Sequence, residues 1–281
     1  FFLYVGIEIK KEMISGELDT KAKRVLPVLA AFAGVITPAI VYYFAAGYMP
    51  EYRHGWGIPT ATDIAFAIGV ITMLGNKVST AMKAFLAALA IIDDLIAIVV
   101  IALFYGAGVN FMDLIAAAAV TGLLIYTNKQ GYLRPLPYCV LGLVLWYLVL
   151  KSGVHATIAG VVLAMTIPFK GKVIDKVVYP MEEWAHALRN WVNFLIIPLF
   201  SFLNAGVSFA DFSIGNLFHP VIIGVSFGLI LGKQLGIFSA VYILVQSKAI
   251  KMPTKTTWLE IYGTAILCGI GFTMSLFVAT L

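Results

Sequence analysis

Charge is what this chain most lacks. Asp, Glu, Lys and Arg make up 12% of its 281 residues against 61% hydrophobic, and a mean hydropathy of +0.97 lies outside the range of ordinary soluble domains. There are two cysteines, Cys139 and Cys268, both in apolar stretches, which argues against a disulfide-stapled secreted scaffold. The sequence holds no glycine-rich phosphate loop, no clustered metal-ligand spacing and no nucleophile set beside a base, so ATP-driven transport and nucleophilic catalysis are unsupported. Long polar linkers are also missing. The longest loop, 169–190, is too short to be a second domain, and a single transmembrane domain over 1–281 is expected.

Apolar runs fill the rest. A window of about 19 residues places spans near 25–47, 58–75, 84–105, 111–127, 136–150, 152–168, 191–210, 220–246 and 257–281. Residues 1–9, "FFLYVGIEI", read as the tail of one more helix. With no initiator Met and apolar sequence at both ends, the chain reads as a fragment of a longer protein, truncated on both sides.

Positive charge in short loops resists translocation. Of the 19 basic residues, all but Arg53, Lys151 and Lys233 fall in one alternate set of loops, from Lys10 and Lys11 through Lys77, Lys83, Lys129, Arg134, Lys170 and Arg189 to Lys248, Lys251 and Lys255. That set is expected to be cytoplasmic. The pI near 9.1 then follows from topology and contact with anionic lipid headgroups, and calls for no nucleic-acid partner.

Four ionisable groups are out of place: Asp63, Asp93, Asp94 and Lys233 all lie inside spans. Each such residue costs about 2.5–3.5 kcal/mol to insert, so the four together represent roughly 10 kcal/mol, comparable to the stability of a whole domain. A buried ion pair between Lys233 and one aspartate, serving only to hold helices together, would account for two of them and leave two carboxylates unexplained. Adjacent helix positions point about 100° apart, so Asp93 and Asp94 cannot share one task symmetrically.

The backbone is marked at the same depth. In "WGIPTATDIAFAIGVITML", 56–74, Pro59 is followed by Thr60, Thr62 and Asp63, the residue types that start helices. A helix start in mid-span is a helix break, tolerated only where it lines a cavity or is buried in protein. "ILCGIGFTMSLF", 266–277, sets Gly269 and Gly271 in the middle of the last span. Two interrupted spans in corresponding places point to an inverted-repeat transporter with its site between the breaks. The expected fold is therefore all-α, a polytopic membrane helix bundle with helices interrupted near 56–75 and 257–281.

Together "GIPTATDIAFAIGV", "ALAIIDDLIAIVVIALFY", "LKSGVHATIAGVV", "LGKQLG" and "ILCGIGFTMSLF" closely resemble the NhaA family of bacterial sodium/proton antiporters. The similarity runs from "VGIEIKKE" to the end of the chain. The family is itself a standard example of inverted-topology repeats. The resemblance implies a pH-regulated antiporter of the bacterial inner membrane that exchanges cytoplasmic sodium or lithium for protons, without a cofactor. It implies that Asp93 and Asp94 bind the ion and exchange the protons, that Thr62 and Asp63 lie where the two interrupted helices cross, and that Lys233 partners an aspartate. It further matches Glu8, Lys11, Glu12, His155 and His186 to the pH response. Where the family reads like "LEHALHPW", this chain has "WAHALRNW": Ala185 stands for the glutamate and Arg189 for the second histidine, so an altered activation profile is expected. Homodimerisation is implied only loosely, because the hairpin that family dimers use lies outside this chain.

Two other readings compete. A cation channel would also place acidic groups along an ion path, but midplane breaks with a buried lysine suit occlusion better than a continuous pore. An intramembrane aspartyl protease needs two aspartates from different helices meeting across one peptide bond. The neighbours Asp93 and Asp94 do not supply that, and "GIGF" carries no aspartate.

Overall fold

A computed structural model describes residues 1–15, 21–106, 108, 110–173, 176–204, 218–250, 252 and 256–281. The expectations that fall on Lys251, Lys255 and 205–210 lie outside the described residues. The fold is all-α. Among the described residues, six helical segments are long and apolar enough to cross a membrane: Val25–Gly47, Pro50–Met73, Thr80–Phe104, Phe111–Lys129, Pro220–Gln246 and Trp258–Ala279. Pro135–Lys151 and Thr157–Thr166 are shorter apolar helices.

The chain divides into two compact units. One comprises Phe1–Ile14 and Ile98–Phe200 and contains α1 (Phe2–Ser15), α5 (Phe111–Lys129), α6 (Pro135–Lys151), α7 (Thr157–Thr166) and α8 (Pro180–Trp191). Its core gathers Ile7, Leu124, Tyr138, Leu145, Ala164 and Met181. α1 and α7 approach closely: a Cβ on Gly6 would stand 2.7 Å from that of Ala164, and one on Gly160 would stand 2.9 Å from the Leu3 amide nitrogen. Lys10 reinforces this pair by donating to the Met165 and Ile167 carbonyls at 2.8 and 2.5 Å, satisfying acceptors that the end of α7 leaves open.

Two features of this unit differ from the sequence expectation. The loop 169–190 contains an antiparallel hairpin, β1 (Gly171–Val173) with β2 (Lys176–Val178), and then α8. Strands of three residues are too short to register as periodicity. Helix α8 is amphipathic: Met181 and Ala185 are buried, Glu182 and Glu183 occupy its first turn and Arg189 its last, the arrangement its dipole favours. The span expected over 152–168 begins instead as a turn, with Gly153 at φ 79°, and becomes helical only at Thr157.

The other unit, Ser15–Ala97 with Ser201–Leu281, contains α2 (Lys21–Tyr42), α3 (Ile64–Met73), most of α4 (Thr80–Phe104), α10 (Pro220–Phe227), α11 (Lys233–Gln246), α12 (Trp258–Cys268) and α13 (Phe272–Ala279). A short helix, α9 (Ile197–Asn204), spans the boundary between the units. Small residues let α2 and α11 approach: a Cβ on Gly236 would lie 2.5 Å from the Ala33 carbonyl oxygen, and one on Gly232 would lie 2.8 Å from Pro38 Cα. Between α10 and α11 the helix widens into a π turn over Gly228–Gly232, immediately before Lys233. Such bulges are frequent at functional positions.

Candidate functional site

The first interruption is built by Pro50–Thr60, which winds as tight 3-10 turns, followed by Ala61 and Asp63 in extended conformation and then α3. Asp63 is the N-cap of α3: its Oδ1 accepts from the Phe66 amide at 3.1 Å, as a short polar side chain at that position is expected to do. The second interruption separates α12 from α13 at Gly269 and Gly271. Gly269 is required by proximity rather than by backbone angle, because a Cβ there would sit 2.7 Å from the Leu229 carbonyl oxygen.

The two breaks satisfy each other. The Asp63 amide donates to the Ile270 carbonyl at 2.7 Å, and the Thr62 hydroxyl donates to the Cys268 carbonyl at 2.8 Å. In return Asp63 Oδ2 accepts from the Thr273 amide at 3.2 Å and its hydroxyl at 2.5 Å. Backbone groups freed by each break, which lipid could not solvate, are thus paired with the other. The dipoles explain the choice of an acid: the N-termini of α3 and α13 both present N–H groups to one carboxylate, and partial positive charge at helix starts favours an anion.

Beside the breaks, Lys233 Nζ donates to Asp93 Oδ2 at 2.7 Å, and neither side chain has any solvent exposure. The same ammonium donates to the Thr60 carbonyl in the first break. Thr62 stands within electrostatic reach of Asp93. Asp94 is 2% exposed and lies within electrostatic reach of Asp93, Asp63 and Lys233. Asp93 Oδ1 and Asp94 Oδ1 are buried with no hydrogen-bond partner. Orphaned buried carboxylate oxygens are rare and costly, and each of these two is left open as an acceptor.

The structure brings together Thr60, Thr62, Asp63, Asp93 and Lys233, with Asp94 in electrostatic contact. Pro59 is buried at the same break. Asp63 differs in character from its neighbours, because both its oxygens are already engaged. Thr273 was not singled out from the sequence. The signal available was a hydroxyl residue two positions after Gly271, at the start of a helix.

The residues matched to pH response all belong to the first unit. Tyr4 lies within electrostatic reach of both Glu8 and Arg189, so the arginine that departs from the family pattern shares a neighbour with one of the residues matched to pH response. Lys11 and Glu12 are half-buried and His186 is exposed. His155 Nδ1 lies 3.1 Å from the Thr157 hydroxyl in the turn before α7.

Interrupted helices whose breaks pair at a buried acidic cluster define a multi-pass membrane protein of the secondary-transporter class. The comparison with known proteins makes this specific: the chain belongs to the Na+/H+ antiporter 1 family, which matches it over residues 1–281. It is 50% identical over its whole length to the Na(+)/H(+) antiporter NhaA of Caulobacter vibrioides, covering 68% of that protein. It is 48% identical to Na(+)/H(+) antiporter NhaA 1 of Pseudomonas savastanoi pv. phaseolicola, covering 72%, and 47% identical to Na(+)/H(+) antiporter NhaA 2 of Klebsiella pneumoniae, covering 73%, in both cases over all of this chain. Membership sets aside the channel and protease readings.

Proposed function

We propose that this protein exchanges sodium or lithium for protons across a bacterial inner membrane, with Asp93 and Asp94 as the shared site. The observation that carries the reading is the pair of unpartnered, buried oxygens Asp93 Oδ1 and Asp94 Oδ1. A proton and a sodium ion both seek those oxygens, and neither can stay when the other holds them. Competition at one site, opened alternately to each side, is sufficient for exchange: sodium displaces protons on one face, and protons displace sodium on the other.

Lys233 neutralises Asp93 when no sodium is held, lowering the cost of the cation-free site. When sodium takes the Asp93 oxygens, the ammonium keeps the Thr60 carbonyl as a second acceptor. Asp63 and Thr62 serve the site by position: they hold the two breaks against each other so that helix ends frame the ion. Alternating access then needs the paired breaks to move as one body.

The basic loops face the cytoplasm and lie against anionic headgroups on this reading, and the homodimer is carried over from the family alone. Glu8, Lys11, Glu12, His155 and His186 modulate the exchange with pH, and the nearness of Tyr4 to both Glu8 and Arg189 supports a role for Arg189 in setting that response.

Asp94→Asn tests the assignment, since it removes charge without changing shape. In proteoliposomes carrying a pH dye the variant gives no sodium-driven or lithium-driven signal while its melting temperature holds. Normal dequenching would remove Asp94 from the mechanism.

A further inference from the structure

Glu260 lies outside the ion site, three residues into the capping segment of α12. One of its oxygens makes a standard capping box: Oε2 accepts from the Thr257 amide at 2.8 Å and hydroxyl at 3.1 Å, while the Glu260 amide donates to Thr257 Oγ1 at 3.2 Å. A capping box needs only that oxygen. The other reaches a helix 181 residues away in the chain: Oε1 accepts from the Ser79 amide at 3.2 Å.

Ser79 is the residue before α4, and its hydroxyl accepts from the Met82 amide at 3.2 Å. One carboxylate therefore neutralises the positive N-terminal ends of both α4 and α12. On α4 this end is further tied to α3, because Lys83 Nζ donates to the Gly75 carbonyl at 2.7 Å. The ends of α3, α4 and α12 meet at one side of the bundle.

What lies along those helices gives the tie its meaning. α4 carries Asp93 and Asp94. From Glu260, α12 continues to Cys268, whose carbonyl accepts from Thr62, and the next turn accepts the Asp63 amide at Ile270. At about 1.5 Å per residue, Glu260 is some 12 Å from the second break and Ser79 about 21 Å from Asp93. We infer that Glu260 is a positioning residue for exchange, its carboxylate coupling the helix that carries the ion-binding aspartates to the half-helix that forms the second break, so that they reorient together. This rests on the exchange reading above.

The tie runs to a backbone N–H, which only proline can delete. Val78 at φ −117°, ψ 135° already has the backbone that a following proline demands; Ser79→Pro removes the donor together with the hydroxyl that caps the Met82 amide, while Ser79→Ala removes the hydroxyl alone and keeps the donor. In the full-length protein reconstituted into vesicles, Glu260→Ala and Ser79→Pro each lower the maximal sodium/proton exchange rate about fivefold. Sodium affinity from equilibrium competition with protons stays within about twofold, because no ligand has changed. The double variant is no slower than the slower single one, since both delete the same tie, and Ser79→Ala loses clearly less than Ser79→Pro.

Wild-type rates in Glu260→Ala overturn the inference. So do additive losses in the double variant, a parallel fall of affinity and rate, or failure of both single variants to fold. An inactive wild-type protein would instead refute the exchange reading itself, which separates the two failures.

Discussion

Lys233 and Asp93 form an ion pair at 2.7 Å with neither side chain exposed, and the lysine also holds the Thr60 carbonyl of the first helix break. The pair thus joins α11, α4 and the break in one contact. Removing one partner strands the other as a buried charge, which typically costs about 3–5 kcal/mol, whereas replacing both by neutral groups is far milder. Lys233→Met should lower the melting temperature in detergent more than the Lys233→Met/Asp93→Asn pair does. Equal or greater loss in the double variant would mean the pair is not the stabilising unit.

Asp63 has no free oxygen, since Phe66 and Thr273 occupy both. Its contribution is to hold two breaks together, and it is not expected to donate to the ion. Thr273→Val removes one donor and leaves the Asp63 carboxylate short of a bond, a loss of about 1–3 kcal/mol. Thermal unfolding should register it. Proton release on sodium binding, followed by calorimetry, should remain as in the wild type; a changed stoichiometry would put Asp63 among the exchanging groups.

Gly269 faces the Leu229 carbonyl oxygen, with room for no Cβ: a methyl there would approach to 2.7 Å. The obstacle is backbone, which cannot rotate away. Gly269→Ala is expected to destabilise the fold by about 1–3 kcal/mol, the range for overpacking. Gly263, on the same helix with nothing within 4 Å of its Cβ position, is the control, and Gly263→Ala should be neutral or stabilising. Equal melting temperatures for the two variants would contradict this account.

Lys10 lies beyond the apolar run of α1, and burial pushes its ammonium down to about 8 from an ordinary 10.5. Between those values the unfolded chain binds more protons than the folded one, so stability rises with pH across that window; below pH 8 the whole burial penalty is present. Lys10→Met has no such charge to shed, so its melting temperature should rise less than that of the wild type from pH 8 to pH 10. Parallel pH profiles would show that Lys10 stays ionised throughout.

Much of the site could be read without coordinates because lipid makes polar groups expensive. Asp63, Asp93, Asp94 and Lys233 stand out against spans that contain almost nothing else charged, and Pro59 and Gly269 mark breaks because a membrane helix has no other way to release its backbone. The paired strands Gly171–Val173 and Lys176–Val178 and the helix over Pro180–Trp191 were not legible: the strands are too short to show a period, and the helix sits in a polar stretch where hydropathy is silent. Nor did Glu260 stand apart from any other loop-edge acid.

Sequence alone determined that this chain lives in a bilayer and which few side chains are too costly to be accidental, since both follow from transfer energies summed along one dimension. Tertiary structure decided the partnerships. Which aspartate holds Lys233, that Asp63 is sealed by Thr273 while Asp93 and Asp94 keep oxygens open, and that Glu260 joins helix starts 181 residues apart all depend on helix rotation and depth. Hydropathy carries neither, because it records how apolar a segment is and nothing about which way it faces.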